Sequence, residues 1–194
     1  MNGSKDLKTI IYFKGVYDTL DLFTDHLIEA FESMGYGTFV YHTANEEVSK
    51  KMLLRLLGES QEFAAVTFNN LGYNLSFEQP EAAEGEEGKP EEYNIWDYFH
   101  IPYIDILMDH PFHYEKPLCN MPKTAVILCT DRNHVKYIRR FFKNIHQTDF
   151  LPHAGVELGH KHKPLNDRNI DVLYAGALPI YTVCLLYTSP SPRD

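Results

Sequence analysis

The chain has 194 residues, of which 44% are hydrophobic and 23% charged, with a formal net charge of −9. These fractions are those of a soluble globular protein, and no stretch approaches the roughly 18 consecutive apolar residues of a membrane span. The charge is concentrated: between Glu78 and Glu92 seven Glu face one Lys, and the mildly acidic remainder argues against a nucleic-acid-binding surface.

In chain order, strand and helix patterns alternate. Thr9 to Phe13 is a β-branched and aromatic run that predicts a first strand. Leu20, Phe23, Leu27, Phe31 and Met34 follow at helical spacing, with Asp18 or Thr19 expected as the cap and Gly35 as the stop. Thr38 to Tyr41 reads as a second strand, and Asn45 as the cap of a helix with Glu46 and Glu47 in its first turn and Gly58 past its end. Phe63 to Phe68, Tyr103 to Met108 and Ala125 to Thr130 read as the third, fourth and fifth strands. Asp131 opens a helix that turns Val135, Ile138 and Phe142 inward, and Thr148 to Leu151 is a brief sixth strand. Apolar strands alternating with helices predict an α/β fold with a Rossmann-like parallel sheet. Residues 69–92 break the rhythm; their Glu-, Gly- and Pro-rich composition predicts a mobile surface insertion.

Several α/β chemistries are excluded. The first strand leads into Lys14-Gly15-Val16-Tyr17-Asp18, with one glycine where a dinucleotide-binding turn needs three. No phosphate-cradling G-x-x-x-x-G-K-[ST] or G-x-S-x-G elbow occurs, and Asn69-Asn70 stand where a phosphate-receiver domain needs an Asp. What remains is position, because open α/β sheets bind ligands beyond the carboxyl ends of their strands. Those ends carry Lys14-Gly15, Asn69-Asn70, Asp109-His110-Pro111, Asp131-Arg132-Asn133 and Pro152-His153-Ala154-Gly155.

Asp109 and His110 supply a carboxylate and an imidazole for proton transfer, or else shape the turn at Pro111. Asp131 is either a cleft residue or a helix cap, and His153 either a cleft residue or a plain loop residue. Gly15 and Gly155 would let a ligand approach the backbone. His110/His113 and His160/His162 lack the helical spacing of a zinc-protease motif, and Lys161 and Lys163 would repel a cation, so no metal is expected. Tyr93, Trp96, Tyr98, Phe99 and Tyr103 read as core and lid packing rather than a sugar platform. Cys119 and Cys129 lack metal-type spacing, as reduced cytosolic thiols do, and Met1 to Lys8 carries no signal-peptide core; the expected compartment is the cytoplasm.

Four stretches carry a resemblance: Tyr103 to Pro111 (YIDILMDHP), Cys129 to Arg140 (CTDRNHVKYIRR), Phe150 to Gly155 (FLPHAG) and Ile170 to Gly176 (IDVLYAG). In order and spacing they are similar to bacterial glycosyltransferases of GT-B architecture, related to the spore-maturation CgeB-like proteins and to family 1/4-type enzymes. The resemblance is firmest from Asn94 to Gly176; residues 1–68 fit the architecture without a specific motif. Ala154 departs from the pattern, where a second glycine is common.

The resemblance implies two Rossmann-like domains. Residues 1–150 would form the acceptor-side domain, 151–169 a linker, and 170–183 the first strand of a donor domain whose glycine turn, Gly176, contacts a nucleotide-sugar. It further implies transfer to a sugar-bearing acceptor without metal or other cofactor, with Asp109 or His110 as general base and Gly15, Asp131, Arg132 and His153 lining the acceptor cleft. Peripheral membrane contact is left open for the parent protein. The alternative is a non-catalytic α/β ligand-binding or interaction domain, the latter working through the acidic loop. Cys184 to Asp194 (CLLYTSPSPRD) resembles a translated sequencing-library adapter. A cut near Val183 is therefore expected, leaving a chain that is itself inactive.

Overall fold

The computed structural model describes residues 8–58, 62–78, 92–155 and 164–169. In chain order its strands are β1 (Thr9–Lys14), β2 (Gly37–His42), β3 (Phe63–Phe68), β4 (Ser76–Glu78), β5 (Glu92–Asn94), β6 (Tyr103–Leu107), β7 (Ala125–Cys129) and β8 (Gln147–Phe150). The helices are α1 (Asp18–Ser33), α2 (Glu46–Leu57), α3 (Ile95–Tyr98), α4 (Glu115–Cys119) and α5 (Arg132–Phe141). Six strands form one sheet in the order β2-β1-β3-β6-β7-β8, every pair parallel, while β4 and β5 make a separate antiparallel hairpin. The fold is α/β and Rossmann-like.

Side chains alternate across a strand, so each face of the sheet needs its own cover. Ile11 and Phe13 point to one face, where α2 (Leu53, Leu57), α3 (Ile95, Trp96), α4 (Leu118) and α5 (Val135, Ile138) complete a core. Ile10 and Tyr12 point to the other, where α1 contributes Leu20 with Phe23, Leu27 and Phe31. Five consecutive buried residues in β1, Thr9 to Phe13, are the direct result of cover on both faces.

Two helix starts differ from expectation. The cap position of α1 is Tyr17, in extended backbone and without a side-chain bond, and Asp18 and Thr19 lie inside the helix. Asp21, one turn further, instead accepts the Gly15 N–H at 3.0 and 3.1 Å, so a first-turn carboxylate ties down the preceding loop. Asn45 does precede α2, but its side chain caps nothing. There the Ser49 hydroxyl bonds both the N–H and the carbonyl of His42, each at 3.1 Å, and so holds the turn into the helix.

The segment 69–92 is not one surface loop. Its first part turns back under the sheet edge, burying Asn70 and Leu75, and β4 and β5 close its base; residues 79–91 lie outside the described residues. The turn is fastened by buried donors. Tyr103 Oη and Thr67 Oγ1 both donate to the Leu71 carbonyl, at 2.8 and 3.0 Å. Trp96 Nε1 donates to the Gly72 carbonyl at 2.7 Å, and Asn94 Nδ2 to that of Tyr73 at 2.9 Å. Trp96 and Tyr103 are therefore core residues with satisfied polar tips, while Tyr93, Tyr98 and Phe99 stack around Phe77 of the hairpin.

The chain divides into two compact units, Met1–Ala154 and Gly155–Asp194. Of the second, Gly155 and residues 164–169 are described, the latter holding a 3-10 turn at Leu165–Asp167. The expected donor-side strand with Gly176, residues 156–163 of the linker, and the tail lie outside the described residues.

Candidate functional site at the carboxyl edge of the sheet

Because every strand of the main sheet is parallel, Gly15, Asn69-Asn70, Asp109-His110, Asp131-Arg132 and His153 all follow carboxyl ends and share one edge. The order reverses direction between β1 and β3: the chain leaves β1 for β2 on one side, then returns to build β3, β6, β7 and β8 on the other. Such a switch point opens a crevice between diverging connections, here between Lys14-Gly15 and Asn69-Asn70.

Asn69 and Asn70 turn that corner in left-handed backbone, with φ of 49° and 65°. Asn tolerates this conformation better than most residues because its amide can bond nearby backbone. Asn69 does so: its Oδ1 accepts the Met108 N–H at 2.9 Å, and its Nδ2 donates to Asp109 Oδ2 at 3.0 Å. The same Asp109 oxygen accepts the Tyr114 hydroxyl at 2.8 Å, where burial and the adjoining carboxylate push the phenol's pKa well up. Asp109 is thus an exposed carboxylate with one oxygen fixed by two donors. Its other oxygen, Oδ1, is engaged by neither donor and can accept a ligand hydroxyl.

His110 stands beside it, exposed, with Nδ1 accepting the Phe112 N–H at 3.1 Å. That bond places the neutral ring's proton on Nε2 and makes Nε2 the nitrogen that can exchange it. The ring meets those of His134, with centroids 4.7 Å apart, and Tyr137, at 5.1 Å. The pKa of His134 is lowered, first by burial and then by His110, against the opposing pull of Asp131.

The other expected cleft residues have local tasks. Asp131 caps α5, its Oδ1 accepting the Asn133 N–H at 2.6 Å. Arg132 lays its guanidinium over the Phe150 ring, 4.2 Å from the centroid, and so covers the end of β8. Gly15 has φ of +99°, and its N–H is taken by Asp21, so the glycine serves the turn and does not present a free amide to a ligand. His153 is exposed on the segment that follows β8. Asp109 and His110 are adjoined by Asn69, which the sequence reading placed at this edge without a role, and by Tyr114 and His134, which it did not select. The signal for Asn69 was an Asn pair directly at the end of an apolar strand; Tyr114 and His134 sit in turns and helices with no local signature.

A further residue was legible and overlooked. Asp105 interrupts the apolar run Tyr-Ile-Asp-Ile-Leu in β6 and is fully buried. Its Oδ1 accepts the Asn70 N–H at 2.9 Å. Burial raises its pKa to about 7, with the Asn70 bond pulling in the opposite direction.

Among the described residues, no group of three His, Cys, Asp or Glu is placed to hold a metal ion, and no helix is long and apolar enough to cross a membrane. No family model, curated protein or solved structure matches the chain.

Proposed function

We propose that this chain is the acceptor-side domain of a GT-B-type glycosyltransferase that moves a sugar from a nucleotide-sugar to a hydroxyl of a sugar-bearing acceptor. The observation that carries the reading is the pairing of a fixed carboxylate with a free-tipped imidazole, Asp109 beside His110, at the carboxyl edge of a parallel sheet. A sugar hydroxyl placed there finds a proton acceptor in the Asp109 carboxylate and, in the Nε2–H of His110, a donor that orients its oxygen. The chemistry needs no metal from this half, because leaving-group stabilisation falls to the donor domain that the resemblance implies. The four motif stretches support the same reading, three of them containing a strand's carboxyl end at this edge.

The test uses the longer protein that this reading requires, assayed for transfer from nucleotide-sugars to a panel of glycosylated acceptors. The expected result is that Asp109→Ala lowers kcat by roughly 10²–10⁴-fold, the usual range for a lost proton acceptor, with the donor KM unchanged. His110→Ala should raise the acceptor KM more than it lowers kcat. Unimpaired turnover in both variants removes these residues from the mechanism. Carbohydrate binding without any transfer favours the non-catalytic ligand-binding reading.

A further inference from the structure

Beneath the exposed site lies a polar pair for which the fold offers too few partners. Asp105 and Asn70 are both more than nine-tenths buried. Asp105 Oδ2, Asn70 Oδ1 and Asn70 Nδ2 are all sealed from solvent with no hydrogen-bond partner. Buried polar atoms are nearly always paired, so three orphans on two touching residues call for a physical reason. The one bond between the two residues, Asn70 N–H to Asp105 Oδ1, fixes the second of two consecutive left-handed residues. Asn69, the first, is the residue that grips Met108 and Asp109.

We propose that Asp105 is a proton-linked latch on the Asn69–Asn70 corner: neutral, it keeps the corner docked, and ionised, it admits water and loosens the corner's hold on Asp109. The groups that face Asp105 are Tyr103 on its own strand, Cys129 on β7, Tyr114 ahead of α4 and Thr67 in register on β3; helices α4 and α5 bring Leu118, Val135 and Ile138 to this face. None of these is a cation. An ionised Asp105 therefore has a single backbone donor for compensation, and one charge-assisted hydrogen bond returns less than the several kcal/mol that burying a carboxylate costs. Water has to reach Oδ2. The deeper part of the turn is pinned by Tyr103, Thr67, Trp96 and Asn94, so the corner itself, already in a strained conformation, is the part free to move. The orphan Asn70 amide then gains partners as well.

The latch does not depend on Asp109 being part of a transferase site, and its test reads the corner directly, without an activity assay. In ¹H–¹⁵N NMR spectra of the chain between pH 5 and 9, the backbone amides of Asn70 and Met108 and the side-chain amide of Asn69 should shift together in one step. The step should be centred near pH 7, where Asp105 titrates. Hydrogen exchange at Asn70 should quicken by at least tenfold above the step after correction for the intrinsic pH dependence. Asp105→Asn should abolish the step. A step that survives in Asp105→Asn, or its absence in the wild-type chain, overturns the proposal. Should that variant fail to fold, ¹³C detection of the Asp105 carboxyl in the wild-type chain decides: titration below pH 5 overturns the latch, and titration in step with the Asn70 amide upholds it.

Discussion

Gly72→Ala tests whether the turn beneath the sheet edge is seated as tightly as its bonds imply. A Cβ at this position would lie 2.3 Å from both Cε1 and Cζ of Phe13, far inside contact distance, and the backbone has φ of +78°. The Phe13 ring has little room to swing, being buried with Tyr41 at 5.3 Å and Trp96 at 6.0 Å between centroids. Left-handed backbone costs alanine about 1–2 kcal/mol, and forcing a methyl into a packed core about 1–3 kcal/mol. If the turn recoils instead, the Trp96 and Tyr103 bonds to it are at risk, and each buried group left unsatisfied costs about 1–3 kcal/mol. The expected loss is therefore about 2–5 kcal/mol, a large share of the 5–15 kcal/mol typical of a domain. Urea unfolding followed by Trp96 fluorescence measures it. Gly35→Ala is the matched control: φ is +90°, yet its Cβ would meet nothing within 4 Å, so only the backbone cost of about 1–2 kcal/mol applies. Equal losses in the two variants would refute the seating of Gly72 against Phe13.

Two further outcomes are expected. Asp105 has its folded-state pKa raised from 3.8 to about 7, so its contribution to stability is full below about pH 4 and lost as pH rises through 7. Calorimetry should show a decline over that window of at most about 4 kcal/mol, flattened in Asp105→Asn; a rise in stability across the window attributable to Asp105 would contradict the burial argument. Asp131→Ala should cost about 0.5–2 kcal/mol through loss of the α5 cap. Asp131→Ser should recover most of that stability, and a failure of serine to do so would mean the carboxylate acts otherwise than as a cap.

Much of the fold was legible because strand and helix periods differ and both are written in apolar spacing. All six parallel strands were located to within a residue or two, since most are short apolar or aromatic runs; β8, Gln147–Phe150, is an edge strand and reads as one only through Phe150 and Leu151. The order of strands was not legible, because pairing partners such as Thr9 and Phe63 are related by nothing local. The cap of α1 was misplaced because Asp18, Thr19 and Asp21 all suit a helix start, and only the position of the Gly15 amide selects Asp21. Residues 69–78 were misread with the acidic run that follows them: composition averages over a window, whereas Leu71, Tyr73 and Leu75 turn inward one at a time. At the candidate site, Asp109 and His110 were selected by position after a strand. Asn69 reaches Asp109 across 40 residues, so only tertiary structure brings it there, whereas Tyr114 is five residues away and is delivered by the turn at Pro111–Tyr114.

The sheet order also sets a schedule for folding during synthesis. β1 is flanked by β2 on one side and β3 on the other, so its second edge has no native partner until β3 has been made. His42 and Phe68 are 26 residues apart, an interval that a ribosome covers in roughly 1–5 s. Throughout it, Ile10 to Phe13 remains an apolar strand with one open side, and hairpin-scale pairing, which takes microseconds, is far faster than the wait. The first strand is thus open to wrong partners while residues 43–68 are being made, and the strand that ends this exposure is the one that carries the Asn69–Asn70 corner.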